Sequence, residues 1–460
     1  MKYKINILFV SAITMISAMG GLLFGYDWVV IGGAKHFYEI YFNIMDSPNL
    51  QGWATSSALI GCIAGAILAG TLSDKYGRKP PLIFSALLFT ISAIGTGMAE
   101  NFTIFIVFRL VGGIGIGMAA LLSPIYIAEI SPARFRGLFV SINQLTIVIG
   151  ILLAQIVNYY IAEIVPEGFT NEQIRNSWNG QMGWRWMFWA ETILSISFLF
   201  LAFLIPESPR WLVKADKGDK ALKVLSKIGG MEFAAKIKGE IQDNLKSETT
   251  KINLREFKHP KIKKILMIGV IFAILQQMCG INVIFIYSDE IFTNAGYGVN
   301  DMLFNIIMTG SVNLLFTLIA LGVIDSWGRR LLMKLGYGVL AFIYIIFGIF
   351  YKMGLTGPVM LVCVLLAIGI YALALAPTTW VVLSEIFPNK VRGVAMSIAT
   401  FALWSSSFLT TYSFPIINKT FKSYGTFWIY AGVCVLGFIF VYKFLPETKG
   451  KTLEEIEDAF

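Results

Sequence analysis

The strongest constraint on this chain is a recurrence of apolar runs of about 20 residues, each long enough to cross roughly 30 Å of hydrocarbon as a helix. They fall near residues 7–32, 51–73, 81–99, 103–127, 138–161 and 185–205, and again near 264–293, 302–324, 332–351, 358–384, 394–417 and 426–445. The alternating pattern of an outer-membrane barrel is absent, so helices are the remaining way to satisfy the backbone inside a bilayer. Composition agrees: 56% of the 460 residues are hydrophobic and 14% charged, against about 25% charged in a soluble domain. The chain reads as an all-α polytopic membrane protein with twelve transmembrane helices.

Other classes fall away on residue chemistry. Four cysteines, Cys62, Cys279, Cys363 and Cys434, all lie inside apolar runs, too sparse for a disulfide scaffold and placed as buried fillers. No Cys/His cluster exists, and His36 and His259 stand in polar gaps, so no metal, cofactor or histidine-based catalysis is expected. The net charge of +9 sits in short gaps between apolar runs, which suits the positive-inside rule better than nucleic acid. The N-terminus has the order of a signal peptide, but its apolar stretch continues to about Ile31, so it reads as a retained first span.

A single long polar segment, 206–263, interrupts the series. Within it KALKVLSKI and AAKIKGEIQDNLK carry apolar residues at three- and four-residue spacing, as short amphipathic helices on a membrane surface do. Its dense Lys and Arg content places it in the cytoplasm, and with twelve spans both termini follow. The opposite gaps hold few basic residues, among them Lys35, Arg175 and Lys352.

An internal repeat organises the rest. Asp74-Lys-Tyr-Gly-Arg-Lys79 reappears as Asp325-Ser-Trp-Gly-Arg-Arg330, an offset of 251 residues. Glu129-Ile-Ser-Pro-Ala-Arg-Phe-Arg-Gly137 reappears as Glu385-Ile-Phe-Pro-Asn-Lys-Val-Arg-Gly393, offset by 256. Pro206-Glu-Ser-Pro-Arg210 matches Pro446-Glu-Thr-Lys-Gly450 at 240. The expected organisation is an N-terminal six-helix half over 1–205, a cytoplasmic linker over 206–263, a C-terminal six-helix half over 264–445 and a cytoplasmic tail over 446–460. Parallel repeats of this kind put a binding site at midplane between the halves of a transporter.

These motifs, together with Gln276-Gln-Met-Cys-Gly-Ile-Asn282 and Pro377-Thr-Thr-Trp380, resemble the sugar porter family of the major facilitator superfamily over essentially the whole chain. Gly25-Tyr-Asp27 makes the bacterial D-xylose/proton symporters the most similar members. The resemblance implies the major facilitator fold and import of a monosaccharide with a proton by alternating access, in a bacterial inner membrane and with one chain sufficient. No enzyme activity, nucleic acid or cofactor is implied. A facilitative uniporter or a non-transporting sugar receptor are the alternatives.

Asp27 lies in the first apolar run, where a carboxylate is expensive and calls for a partner. Arg109 is the arginine placed well inside a span, and the resemblance pairs the two, with Arg109 releasing Asp27 on protonation. A permanent structural ion pair is the other reading. Sugars need groups that both donate and accept, which amides do without the cost of burying a charge. By the resemblance Gln144, Gln276, Gln277, Asn282 and Asn313 contact sugar; as isolated features they also suit helix–helix ties. Helical spacing puts Gln276 nearer the Asn282 face than Gln277. Trp380 suits a sugar platform or an interfacial anchor, and Phe24 and Trp404 suit pocket walls or packing.

Three positions depart from the family pattern: Leu403 for an amide, Ile286 for an aromatic (with Tyr287 next) and Ala376 for a glycine. The first two imply a smaller or less polar ligand, such as a pentose or deoxysugar. On the cytoplasmic side Arg78, Arg136, Arg329, Arg330 and Arg392 either follow the positive-inside rule or pair with Asp74, Glu129, Glu207, Asp325, Glu385 and Glu447 as a latch between the halves. The sequons at Asn101 and Asn418 receive no role.

Overall fold

The computed structural model describes residues 3–166, 168–247, 257, 259–388, 391–449 and 455, with the side chains of residues 244, 246, 247 and 325 outside that description. No strand occurs among the described residues. The first crossings are α1 (Ile7–Tyr41), α2 (Pro48–Tyr76), α3 (Lys79–Gly97), α4 (Phe102–Ile130) and α5 (Arg136–Ile161). A short α6 (Asn171–Asn176) and one π turn precede α7 (Trp184–Ala202). The linker contributes α8 (Pro209–Lys214) and α9 (Gly218–Ser247), the latter broken at Gly229 and Gly230. Then come α10 (Pro260–Met278), α11 (Ile281–Ile286), α12 (Ser288–Asn294), α13 (Val299–Trp327) and α14 (Arg329–Lys352). The series ends with α15 (Pro358–Ile370), a π turn over Tyr371–Leu375, α16 (Ala376–Ile386) and α17 (Arg392–Phe444).

Among the described residues, eleven stretches are long and apolar enough to cross a membrane. The eleventh and twelfth expected spans are both contained in the 53-residue α17, whose helical geometry is interrupted at Lys422 (φ 58°). The chain is an all-helical integral membrane protein. Local chemistry sets many boundaries: Asn101 accepts the Ile104 N–H as the N-cap of α4, which gives that sequon asparagine a structural duty. Ser208 caps α8, with Pro209 at its first helical position. The largest departure from expectation is α1, which continues to Tyr41 rather than ending near residue 32. Its polar extension holds Lys35 and Glu39, each 2% exposed. Lys35 is thus a buried, paired residue rather than a loop cation, because partners inside the protein replace water.

The chain divides into two compact units, the first comprising Met1–Trp28, Ile60–Ile151 and Phe188–Lys251, the second Val29–Leu59, Leu152–Met187 and Ile252–Phe460. This division by contact runs through α1, α2, α5 and α7, whereas the sequence repeat divides the chain by ancestry. In the first unit α3 packs along α4. An apolar cluster joins Val10, Ile127, Phe139, Leu225 and Ile228 there, and the Asn6 N–H donates to the Ile228 carbonyl at 2.8 Å. In the second unit α17 packs against α10 and α14.

The repeat is visible as duplicated chemistry at two helix starts. Gly77 (φ +96°) precedes α3 and Gly328 (φ +87°) precedes α14, both in the left-handed region that glycine adopts without penalty. The turn lets one carboxylate receive the free N–H groups of the next helix. Glu207 accepts from Arg78 N at 2.8 Å and Lys79 N at 3.2 Å. Glu447 accepts from Arg329 N at 2.9 Å and Arg330 N at 3.1 Å. A carboxylate at a helix N-terminus also complements its dipole. Burial pushes the Glu207 carboxyl up from its ordinary value, while the N–H donors of Ser208, Arg78 and Lys79 pull it back.

Gly77→Ala should lower the melting temperature in detergent, since an added Cβ would sit 2.3 Å from Glu207 Oε2 and a strained φ costs on the order of 1–3 kcal/mol. Gly239→Ala, inside α9 with nothing within 4 Å of the new Cβ, should hold or raise it, because alanine is favoured by about 1 kcal/mol in helices. Equal melting of the two variants would show that the turn does not require glycine.

Candidate transport site

In the first unit α1, α4 and α7 carry three ionisable side chains in the apolar interior. Asp27 is fully buried, and Arg109 and Glu191 are each 2% exposed. Arg109 Nη1 pairs with Asp27 Oδ1, and its Nη2 approaches the Asp27 backbone carbonyl at 3.4 Å. The guanidinium also faces the Phe188 ring, with Cζ 5.7 Å from the centroid. Glu191 lies in the electrostatic field of both Asp27 and Arg109. Asp27 Oδ2, Arg109 Nε and Glu191 Oε1 have no hydrogen-bond partner among the described residues. A second acid thus stands in the field of the Asp27–Arg109 pair, with hydrogen-bonding capacity left over.

The sequence pairing of Asp27 with Arg109 is realised in this structure. Glu191 was missed there, although it stands in the apolar run WMFWAETILSISF and meets the criterion that singled out Asp27: a carboxylate inside a span.

The second unit contains the amide group. Asn282 Nδ2 donates to Gln277 Oε1 at 2.5 Å and to Ser407 Oγ at 3.0 Å. Gln276 Nε2 donates to the Tyr371 hydroxyl at 2.5 Å, leaving its buried Oε1 without a partner among the described residues. Gln277, and not Gln276, therefore meets Asn282, which corrects the helical-spacing expectation. The physical reason is a break: α10 ends at Met278, and Gly280 takes φ +84° before α11 begins. Continuous 3.6-residue periodicity is lost between the glutamines and the asparagine.

The remaining candidates are distributed as follows. Gln144, in the first unit, is half-buried, and Asn313, in the second, is 6% exposed. Neither amide bonds another described residue. Phe24 meets Trp28 edge-to-face at 6.0 Å. Trp404 is 6% exposed, whereas Trp380 is 42% exposed. Leu403 and Ile286, the two apolar departures, are buried at 3% and 2% exposure.

Sequence reasoning also missed Tyr371 and Ser407. Tyr371 opens a π turn, an irregularity often found at functional sites, but nothing in its apolar run signals one. Ser407 lies one helical turn beyond Leu403 and supplies α17 with the polar contact that Leu403 lacks.

The motif arginines form two clusters of like design, one in each unit. Arg78 grips Glu129 through Nε at 3.0 Å and Nη2 at 2.9 Å, and Ser208 Oγ donates to the same carboxylate at 2.5 Å. Asp74 is more exposed, 3.8 Å from Arg78 and 3.5 Å from Lys214. Arg329 pairs with Glu385 at 3.4 Å, and Arg330 Nη2 donates to the Tyr442 carbonyl at 2.5 Å. Arg136 and Arg392 depart from the expected carboxylate pairing. Their Nε atoms donate to the Ala128 and Phe387 carbonyls, each at 3.1 Å, where free helix-terminal carbonyls attract cations. The Asp325 side chain lies outside the described residues.

A family model described as Sugar (and other) transporter matches residues 13–460. The chain is 37% identical to a D-xylose-proton symporter of Escherichia coli (strain K12), covering 99% of this chain and 97% of that one. It is 38% identical to an arabinose-proton symporter of Bacillus subtilis (strain 168), covering 98% and 94%. Among solved structures it is similar to the inward open conformation of the xylose transporter XylE from E. coli, with a TM-score of 0.86, 35% identity and coverage of 98% and 100%. Motifs, helices and matches all run nearly end to end, and the chain belongs to the sugar transporter family, the sugar porters of the major facilitator superfamily.

Proposed function

We propose that this protein imports a monosaccharide, D-xylose or a related pentose or hexose, together with a proton. The observation that carries the reading is the buried cluster of Asp27, Arg109 and Glu191. Arg109 balances the Asp27 carboxylate in an apolar interior, and a proton bound to Asp27 removes the charge that Arg109 balances. A protonated Asp27 no longer needs Arg109, so proton binding loosens the link between α1 and α4. That is a local change able to bias a two-state equilibrium. The names of the relatives, symporters of xylose and arabinose, support the substrate class.

Sugar recognition falls to Gln276, Gln277 and Asn282, with Gln144 and Asn313 as further amides and Trp380 as a platform; Phe24 and Trp404 serve as walls. Tyr371 and Ser407 orient two of the amides through the bonds described above. The buried Leu403 and Ile286 favour a ligand with few hydroxyls, which suits a pentose. The two six-helix halves rock about this site. The Arg78, Arg329 and Arg330 group, with Asp74, Glu129, Glu207, Asp325, Glu385 and Glu447, latches the cytoplasmic side when the site faces outward, while Arg136 and Arg392 hold helix-terminal carbonyls. The protein works as a single chain in a bacterial inner membrane, with both termini and the linker in the cytoplasm, as the basic linker supports.

Uptake of labelled D-xylose into proteoliposomes under an inward proton gradient tests the proposal. Accumulation should occur and a protonophore should abolish it; equilibration indifferent to the protonophore would make the protein a uniporter. Asp27→Asn should lose accumulation yet retain sugar exchange, and retained accumulation would remove Asp27 from coupling. Asn282→Ala and Gln276→Ala should each raise KM about tenfold, the order expected when a polar contact to a bound hydroxyl is lost. Unchanged KM in both would move the sugar away from α10 and α11.

A further inference from the structure

Near the C-terminal end of α1, one buried cation meets three carboxylates. Lys35 Nζ lies 3.1 Å from Asp289 Oδ2, 3.3 Å from Glu39 Oε1 and 3.8 Å from Glu290 Oε2. It also stands 5.2 Å from the centre of the Tyr287 ring. Lys35 and Glu39 are 2% exposed and Asp289 4%. Gln51 Nε2 donates to Glu39 at 3.1 Å and Asn418 Nδ2 to Glu290 at 2.5 Å, while Asp289 Oδ1 has no hydrogen-bond partner among the described residues. Beside them the fully buried Tyr287 hydroxyl donates to the Thr411 carbonyl at 2.9 Å and shares a hydrogen bond of 2.5 Å with Thr55.

These contacts join elements from opposite halves of the sequence repeat. Lys35, Glu39, Gln51 and Thr55 belong to α1 and α2; Tyr287, Asp289 and Glu290 belong to the segment following α11, and Thr411 and Asn418 to α17. Tyr287 itself is non-helical (φ −107°, ψ 24°), a joint between α11 and α12. For a solute to enter from this side, α1 must part from α12. Lys35 would then leave Asp289 and Glu290 but keep Glu39, its neighbour one helical turn on. All four charges would pass into water, where hydration replaces the lost pairing. In the closed arrangement that pairing has no substitute, because removing one partner of a buried pair leaves the others uncompensated.

We propose that Lys35 is the positioning residue that closes the outer gate of this transporter, clasping α1 to α12 through Asp289 and Glu290. The proposal rests on the alternating-access reading above, but it concerns helix separation and needs no transported sugar or proton gradient.

The test uses the full chain in nanodiscs, with its four cysteines replaced and spin labels attached at introduced thiols, Asp46→Cys and Lys419→Cys. Both positions are exposed. Electron–electron double resonance reads the distance between them. The parent should hold mainly the short distance. Lys35→Met should raise the ratio of long to short populations about tenfold or more. Asp289→Asn should shift it in the same direction, and it serves alone if Lys35→Met does not fold. The exchanged pair, Lys35→Asp with Asp289→Lys, should restore the short distance. An unchanged distribution in the single variants, or failure of the exchanged pair to restore closure, would overturn the proposal. Loss of xylose transport with these distance shifts intact would count against the proposed substrate and not against the clasp.

Discussion

Charge buried away from water is the interaction on which the rest of this molecule depends. A bare ion in an apolar bundle is so unfavourable that buried charges call for partners. Asp27 has Arg109, Lys35 has Asp289 and Glu39, and Arg78 has Glu129. None of the three groups is a simple one-to-one pair. Glu191 adds a second carboxylate near Arg109, Glu290 a third near Lys35, and Glu207 caps the backbone beside Arg78. Surplus carboxylates make these places responsive to a proton or to water, which a neutral, fully matched pair would not be.

Duplication extends the same economy of design. The motif glycines at 77 and 328 take left-handed turns so that Glu207 and Glu447 can receive the first N–H groups of α3 and α14. The paired arginines then reach Glu129 and Glu385 at the ends of α4 and α16. Each motif is thus a fold device as well as a candidate latch. Glycine, carboxylate and arginine must appear together because each supplies what the next requires.

Much of this was legible in residue pattern. The apolar runs anticipate the crossing helices, and an internal acid in the first run points to Asp27. Arg109 stands out by the same hydrocarbon cost. That argument also covers Glu191, which lies in a run rich in tryptophan and phenylalanine where its single charge was overlooked. Lys35 escaped for a different reason. The residues around it, GGAKHFYEIY, read as a polar loop by composition, and only their partners on α12 make them the buried end of a 35-residue helix.

The sequence by itself determined the number of crossings, the repeat, and which residues are too polar to lie in hydrocarbon without a role, because those follow from transfer energies and local spacing. Tertiary structure alone decided which amide meets Asn282, since the break at Gly280 ends the helical register that spacing arguments assume. It also decided that Ser407 stands in where Leu403 is silent and that Tyr371 holds Gln276. These last two contacts, 95 and 125 positions apart, depend on how helices pack. Packing is a property of whole surfaces, which periodicity along one segment does not encode.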